Sequence, residues 1–342
     1  MNTVTIRLLA TELNLSIGTV SKALKDSYEI SGETKERVLA LAKKLHYTPN
    51  PYASSLRRKK SNTIAVVIPE VADSFFSQAI KGIEEIAQQK GYHVLIYLTY
   101  ESAEKEKKIL EECKNGRVDG VLLSVSSTSC STESIEELQA ADVPVIFFDR
   151  ALDSIQSARV RTNDLECGFL ATQHLLDQGC RRIAFLSISQ QLDINVNRLN
   201  GYKAALAASQ QVAQQSRVVS CTNQEEENSA VLSALMKGPQ RPDGVIASVE
   251  KLITPFYLVC AELGITMPGD VKLIGFSNLS TAPVLNPALT TITQPAFAMG
   301  KKAATVLFDA LGKQNYQWQD EDIVLPSELH CRLSTGLVTM HV

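Results

Sequence analysis

Ser16-Ile17-Gly18-Thr19-Val20-Ser21-Lys22-Ala23-Leu24 decides how the front of this chain folds. Ser16 suits a helix N-cap, because its oxygen can accept from the free amides of the first turn. Val20 and Leu24 then share one face of a short helix. Upstream, Thr5 to Leu13 reads as another short helix, with Ile6, Leu9, Ala10 and Leu13 on one side. Asn14 joins the two, and asparagine tolerates the left-handed backbone of a tight turn. Downstream, Ser31-Gly32-Glu33 opens a third helix with an acidic residue in its positive first turn. Its Val38, Leu41, Ala42 and Leu45 repeat at helical spacing. Three short helices, the first two joined by a tight turn, match the helix-turn-helix. Periodicity alone leaves a protein-binding three-helix module open.

Charge favours a polyanion. Residues 1–60 hold 11 Lys/Arg and 5 Asp/Glu, a net of +6, whereas the rest of the chain holds 23 and 32, a net of −9. A basic head on an acidic body suits nucleic acid at the front and something else behind.

The residues then add a family. Ser16 to Leu24 closely resembles the recognition helix of the LacI/GalR family of transcriptional regulators, with its S-x-x-T-V-S-R-x-L pattern. Tyr47-Thr48-Pro49-Asn50-Pro51 resembles that family's Y-x-P-N segment. The resemblance implies that the second helix enters the major groove of double-stranded DNA. It assigns Thr5, Ser16, Ile17, Gly18, Thr19, Ser21 and Lys22 to the duplex. Ile17 can offer only apolar contact, such as to a thymine methyl; Gly18 has no side chain; Lys22 can donate to guanine or phosphate. Ser16, Thr19 and Ser21 read as caps or phosphate contacts, which position without specifying. Direct base readout is therefore thin.

Asn50-Pro51 makes a plausible helix start. The two turns that follow are too short to be stable alone. The resemblance implies a hinge that becomes helical on DNA and enters the minor groove. Leu56 takes the place of the wedging leucine, Arg57 lies beside it, and Asn50 and Ser54 are further expected contacts. Wedging a base step costs a few kcal/mol, offset by contacts that the bend permits.

From residue 62 the texture changes to alternating β and α segments. Strands are expected over 63–68, 92–98, 118–125 and 143–148, then near 181–187, 217–221, 243–247 and 270–276, with helices between them. This alternation implies parallel sheets wrapped by helices, in two similar α/β lobes. The resemblance supplies the rest of the fold class: an all-α helix-turn-helix head on a periplasmic-binding-protein-like core of two doubly wound lobes. The expected divisions are a head at 1–49, a hinge at 50–61 and a core at 62–342. Within the core, the first lobe takes 62–162 and 292–325, and the second takes 163–290 and 326–342. Helix 295–312 and a strand near 321–325 return to the first lobe.

Ligands of open parallel sheets lie beyond the carboxyl ends of the strands. The candidates there are Asp73, Phe75, Phe76, Asp149, Arg150 and Asn163, and Gln294 at the second crossing between lobes can reach the cleft. The Phe147-Phe148-Asp149-Arg150 stretch resembles the family's F-D-R, and Asn163-Asp164 its D-N in reverse order. Asn197-Arg198-Leu199-x-Gly201-Tyr202 resembles its R-L-x-G-[FYW], which makes Arg198 the leading effector-site residue. Two departures stand out. Ser248-Val249-Glu250 replaces A-N-D, and Gly275-Phe276-Ser277-Asn278 replaces G-[FY]-D-D. Val249 and Ser277 thus fall where the usual amide and carboxylate would be, which leaves a phosphorylated or acidic sugar open.

The seven cysteines are odd in number, scattered, and never in a C-x-x-C pair, which argues against a disulfide framework or zinc site. The five histidines lack metal-ligand spacing, and no catalytic or phosphate-binding signature is present. The expectation is a cytoplasmic DNA-binding homodimer on a palindromic operator, controlled by a sugar or sugar derivative. No cofactor, metal, membrane span or enzymatic activity is expected. The alternatives are an exported two-lobed binding protein and a sugar-modifying enzyme.

Overall fold

The computed structural model describes residues 4–47, 60–126, 132–188, 192–209, 216–313 and 320–336. The chain divides into two compact units, Met1–Ser61 and Asn62–Val342.

The first unit contains helices α1 (Ile6–Leu13), α2 (Ile17–Leu24) and α3 (Gly32–Lys44). Each starts on a hydroxyl cap: Thr5 accepts from the Leu8 amide, Ser16 from Thr19, and Ser31 from Thr34. Asn14 ends α1 in the left-handed conformation (φ 53°), so the chain turns at the residue that the sequence singles out. Leu9, Ala10, Val20, Ala23, Val38 and Ala42 form the buried core, with Ile6, Leu13, Leu15 and Ile17 packed around it.

The second unit holds two six-stranded sheets. The first is entirely parallel, in the order β11-β5-β4-β3-β1-β2. Its strands are β1 (Thr63–Ile68), β2 (His93–Leu98), β3 (Gly120–Leu123), β4 (Val145–Phe148), β5 (Ala158–Thr162) and β11 (Glu321–Leu325). β1 lies inside the sheet and is buried on both faces, hence its unbroken apolar run. The second sheet has the order β12-β10-β9-β8-β6-β7. It comprises β6 (Ile183–Ser187), β7 (Arg217–Ser220), β8 (Gly244–Ala247), β9 (Lys272–Phe276), β10 (Thr290–Thr293) and β12 (Glu328–His330). Only β12 is antiparallel to its neighbour among these pairs.

Helices α4 (Ser74–Gln89), α5 (Ala103–Cys113), α6 (Thr132–Ala140) and α11 (Ala296–Leu311) wrap the first sheet. Helices α7 (Asp164–Asp177), α8 (Asp193–Ala208), α9 (Glu225–Lys237) and α10 (Ile253–Glu262) wrap the second. Three strands lie where none was expected: β5, β10 and β12. Their sequences (ARVRT, TTIT and ELH) are short and polar, so they lack the apolar run that marks a buried strand. β10 also corrects a boundary. Ile292 and Thr293 hydrogen-bond into the second sheet, so the chain returns to the first lobe after Thr293 rather than at 292.

Each lobe is tightened by a pair of glycines. A Cβ on Gly168 of α7 would lie 2.1 Å from the Arg198 carbonyl oxygen, and one on Gly201 of α8 would lie 2.0 Å from that of Leu165. In the first lobe, Gly82 of α4 and Gly300 of α11 meet the partner helix equally closely, at 2.2 and 2.0 Å. In both lobes, backbones touch where a side chain would hold the helices apart.

Candidate functional site

In the head, Thr5, Ser16, Gly18 and Lys22 are exposed, and Ile17, Thr19 and Ser21 are half-buried. Val20 and Ala23 face the core, leaving the other side of α2 to a partner. The Ser16 and Thr19 hydroxyls are hydrogen-bonded to each other (2.8 Å), so both already serve the cap. Lys22 is not a free cation: its ammonium is paired with Glu29. Tyr28, missed by the periodicity reading, is 94% exposed just after α2. Asn50, Ser54, Leu56 and Arg57 lie outside the described residues.

In the second unit, a narrow cleft lies between the lobes. It is lined by Asp73, Phe75, Phe76, Asp149, Arg150, Arg198, Val249, Ser277 and Gln294, all singled out from sequence. Ile194, Glu250, Phe276 and Asn278, which were not, complete it. Most of these residues follow the carboxyl ends of β1, β4, β8, β9 and β10, while α4 and α8 supply the others.

Arg198 is held from three sides. Its Nε donates to Asp164 Oδ1 and its Nη1 to the Ser248 carbonyl, both at 2.6 Å, and its guanidinium lies 4.3 Å from the centre of the Phe276 ring. The motif around it explains the precision. Gly201 lets α8 press against α7, and Tyr202 anchors α8 by donating to the Ile183 carbonyl at 2.8 Å. Arg198 Nη2 and Asn278 Oδ1 are buried without a hydrogen-bond partner among the described residues. One is a donor and the other an acceptor.

Arg150 Nη1 reaches both oxygens of Glu101 (3.0 and 2.9 Å). Glu101 and its neighbour Tyr100 both have positive φ (59° and 52°), a costly backbone for non-glycine residues. Asp149, also left-handed (φ 62°), has Ser124 and Gln294 donors at 3.4 Å. Burial pushes the Asp149 carboxyl up to about 7. Asp73 caps α4 through the Phe75 amide (2.8 Å); burial and then the neighbouring Glu250 charge push it up to about 6. Phe75 and Phe76 meet edge to face.

Asn163 is the exception among the expected residues. Its Oδ1 accepts from the Ser327 amide (2.9 Å) and its Nδ2 donates to Glu166 (2.7 Å). It therefore staples the first crossing between lobes to the third instead of facing the cleft. The next residue, Asp164, reaches Arg198 because the α7 helix starts between them. The departures at 248–250 and 275–278 do not empty the cleft of carboxylate either. Glu250 joins Asp73 and Asp149, so an acidic ligand would meet three carboxylates there.

Residues 5–50 match the family "Bacterial regulatory proteins, lacI family", and residues 172–335 match a periplasmic binding protein-like domain. The ribose operon repressor of Halalkalibacterium halodurans is 30% identical over 334 residues, 97% of this chain and 97% of its own. This chain belongs to the lacI family. It is a DNA-binding transcriptional regulator with a two-lobed sensor core, and the enzyme and transport readings fall away. A LacI family regulator from Enterococcus faecium, solved with bound ribose, is 27% identical with a TM-score of 0.71, covering 80% of this chain and 98% of that one. The lac repressor dimer bound to operator and an anti-inducer shares the fold, at 22% identity and a TM-score of 0.83 over 98% of this chain and 100% of its own.

Proposed function

We propose that this lacI-family protein is a cytoplasmic repressor that grips a palindromic operator as a homodimer and changes that grip when an uncharged sugar enters the interlobe cleft. Arg198 carries the reading. It is a buried guanidinium, held by Asp164 and Ser248, that keeps one donor without a partner among the described residues. A ligand hydroxyl can accept from that donor, and another can donate to Asn278 Oδ1. Phe75, Phe76 and Phe276 supply the apolar surface that a sugar ring's C–H face needs. The relative with bound ribose supports the same ligand class. The carboxylates of Asp73, Asp149 and Glu250 argue against a phosphorylated one.

On the DNA side, α2 presents Ile17, Gly18, Ser21 and Lys22, and Thr5, Ser16 and Thr19 hold the helix ends. Asn50, Ser54, Leu56 and Arg57 complete the contact through the hinge. A single thin helix gives weak readout, so a two-fold pair on an inverted repeat is the arrangement that yields specificity. Among the described residues no helix is long and apolar enough to cross a membrane, and the described cysteines are unpaired.

The test is a thermal-shift screen of neutral sugars and sugar phosphates on the full chain. Operator-fragment binding with and without the hit follows. A neutral sugar should raise the melting temperature and change operator affinity, and operator should change sugar affinity by the same factor. No response to any neutral sugar, together with a clear response to a charged metabolite, refutes the ligand class. A monomer with no preference for any genomic fragment refutes the whole reading.

A further inference from the structure

The segment after β8 sends one side chain across the cleft. Glu250 Oε1 accepts from the Ser74 amide at the start of α4, 2.9 Å away in the other lobe. Its Oε2 accepts from the Ser277 hydroxyl (2.7 Å) and the Asn278 amide (3.0 Å) in its own lobe. The same edge carries two more cross-lobe links. Lys251 pairs with Glu70 at 2.8 Å, and Gln78 Nε2 donates to the Asn278 carbonyl at 3.0 Å. The three donors around Glu250 span both lobes, and one is the exposed-amide end of a 16-residue helix, where negative charge is favoured. That is the arrangement an anionic ligand would need, and the protein fills it with its own carboxylate.

We infer that Glu250 is a specificity-determining residue: a built-in anion that occupies the cleft's anion-accepting corner, links the lobes, and so bars phosphate- and carboxylate-bearing ligands while leaving Arg198 and Asn278 to uncharged hydroxyls. This rests on the cleft being the effector site, and it explains why glutamate serves where the family pattern has a shorter aspartate. A side chain one methylene shorter retracts from Ser74 in the opposite lobe.

The experiment needs no knowledge of the natural effector. In the full chain, Glu250→Ala should lower the melting temperature by several degrees. Inorganic phosphate or acetate, compared with chloride at equal ionic strength, should restore part of the loss, because the anion refills the three-donor corner. Wild type should show no such response. A variant that ignores both anions, or a wild type that gains as much as the variant, overturns the inference. Should the alanine variant not fold, Glu250→Asp keeps the charge and is read by hydrogen exchange. The Ser74–Phe76 amides should exchange at least tenfold faster than in wild type, and an unchanged rate overturns the inference. Greater stabilisation of wild type by ribose 5-phosphate than by ribose also overturns it. Neither the anion rescue nor the exchange measurement uses a sugar, so their failure is separate from failure of the sugar screen.

Discussion

Gly201→Ala should loosen the second lobe and with it the hold on Arg198. The added Cβ would sit 2.0 Å from the Leu165 carbonyl oxygen and 2.6 Å from the Phe169 amide nitrogen. Ordinary contact begins near 3.4 Å, so α7 and α8 must part by more than an ångström. Both obstacles are backbone and cannot rotate away. Overpacking of this kind costs about 3 kcal/mol. Replacing a mid-helix glycine by alanine returns roughly 1 kcal/mol. Steric cost wins, leaving a net loss of about 2 kcal/mol, or roughly 4–8 °C in melting temperature. Urea unfolding of the full chain, followed by circular dichroism, measures it. Gly168→Ala acts on the same contact, where its Cβ would meet the Arg198 carbonyl at 2.1 Å. The double variant should therefore lose less than the two single losses added together, since one substitution already separates the helices. Gly32→Ala, whose Cβ would meet nothing within 4 Å, is the control and should lose nothing. An unchanged midpoint in Gly201→Ala, or strict additivity with Gly168→Ala, would refute the close-approach argument.

Removing Asp149's charge should flatten the pH dependence of stability. Its folded pKa of about 7 exceeds the ordinary value of 3.8, so the native state holds the proton more tightly. The associated stability is present in full below 3.8 and lost as pH rises through 7. Between pH 5 and 8, wild type should lose of the order of 2 kcal/mol more than Asp149→Asn, as read by urea midpoints; equal slopes would count against it. Glu29→Gln frees Lys22 from an exposed ion pair worth at most about 1 kcal/mol. Affinity for DNA should rise by up to about fivefold, and the salt dependence should steepen, in fluorescence anisotropy; lower affinity would remove Lys22 from the interface. Arg198→Met leaves the buried Asp164 carboxylate without its counter-charge, which should destabilise the core by about 3 kcal/mol. Combining it with Asp164→Leu should recover much of that loss, and no recovery would mean that the pair is not the source.

The sequence exposes what repeats and what caps. Asn14, Ser16 and Ser31 mark the head's turns because each satisfies backbone groups locally, with no help from distant residues. β1, β4 and β8 are legible because a strand buried on both faces must be apolar throughout. β5, β10 and β12 are not, since their sequences are short and polar and carry no periodic signal. The cleft divides along the same line. Arg198 and Asp149 follow from motif position and a strand end, and Gln294 from its place at the second crossing. Glu250 and Asn278 matter through partners on other elements, Ser74 and Gln294, 176 and 16 residues away. Asn163 shows the converse failure: a residue at the right end of the right strand whose amide is taken by Ser327, 164 residues on.

The distribution of contacts decides which motion a ligand can drive. Within each lobe, helices touch backbone to backbone through Gly82 and Gly300 or Gly168 and Gly201, and apolar side chains fill both faces of each sheet. Deforming a lobe would break close packing. Along the Glu250 edge, the cross-cleft links are polar and few: Glu250 to Ser74, Lys251 to Glu70 and Gln78 to Asn278. A charged hydrogen bond contributes about 1.5–3 kcal/mol and a neutral one about 1, and a partly exposed ion pair adds at most about 1 kcal/mol. Their sum is comparable to the roughly 5.5 kcal/mol of differential binding that converts a 1:99 equilibrium to 99:1. A ligand with that differential affinity is enough to open this edge while each lobe stays intact. The crossings give the motion its axis. Asn163 ties the first to the third through Ser327, and Gln294 ties the second to the first through Thr162 (3.4 Å).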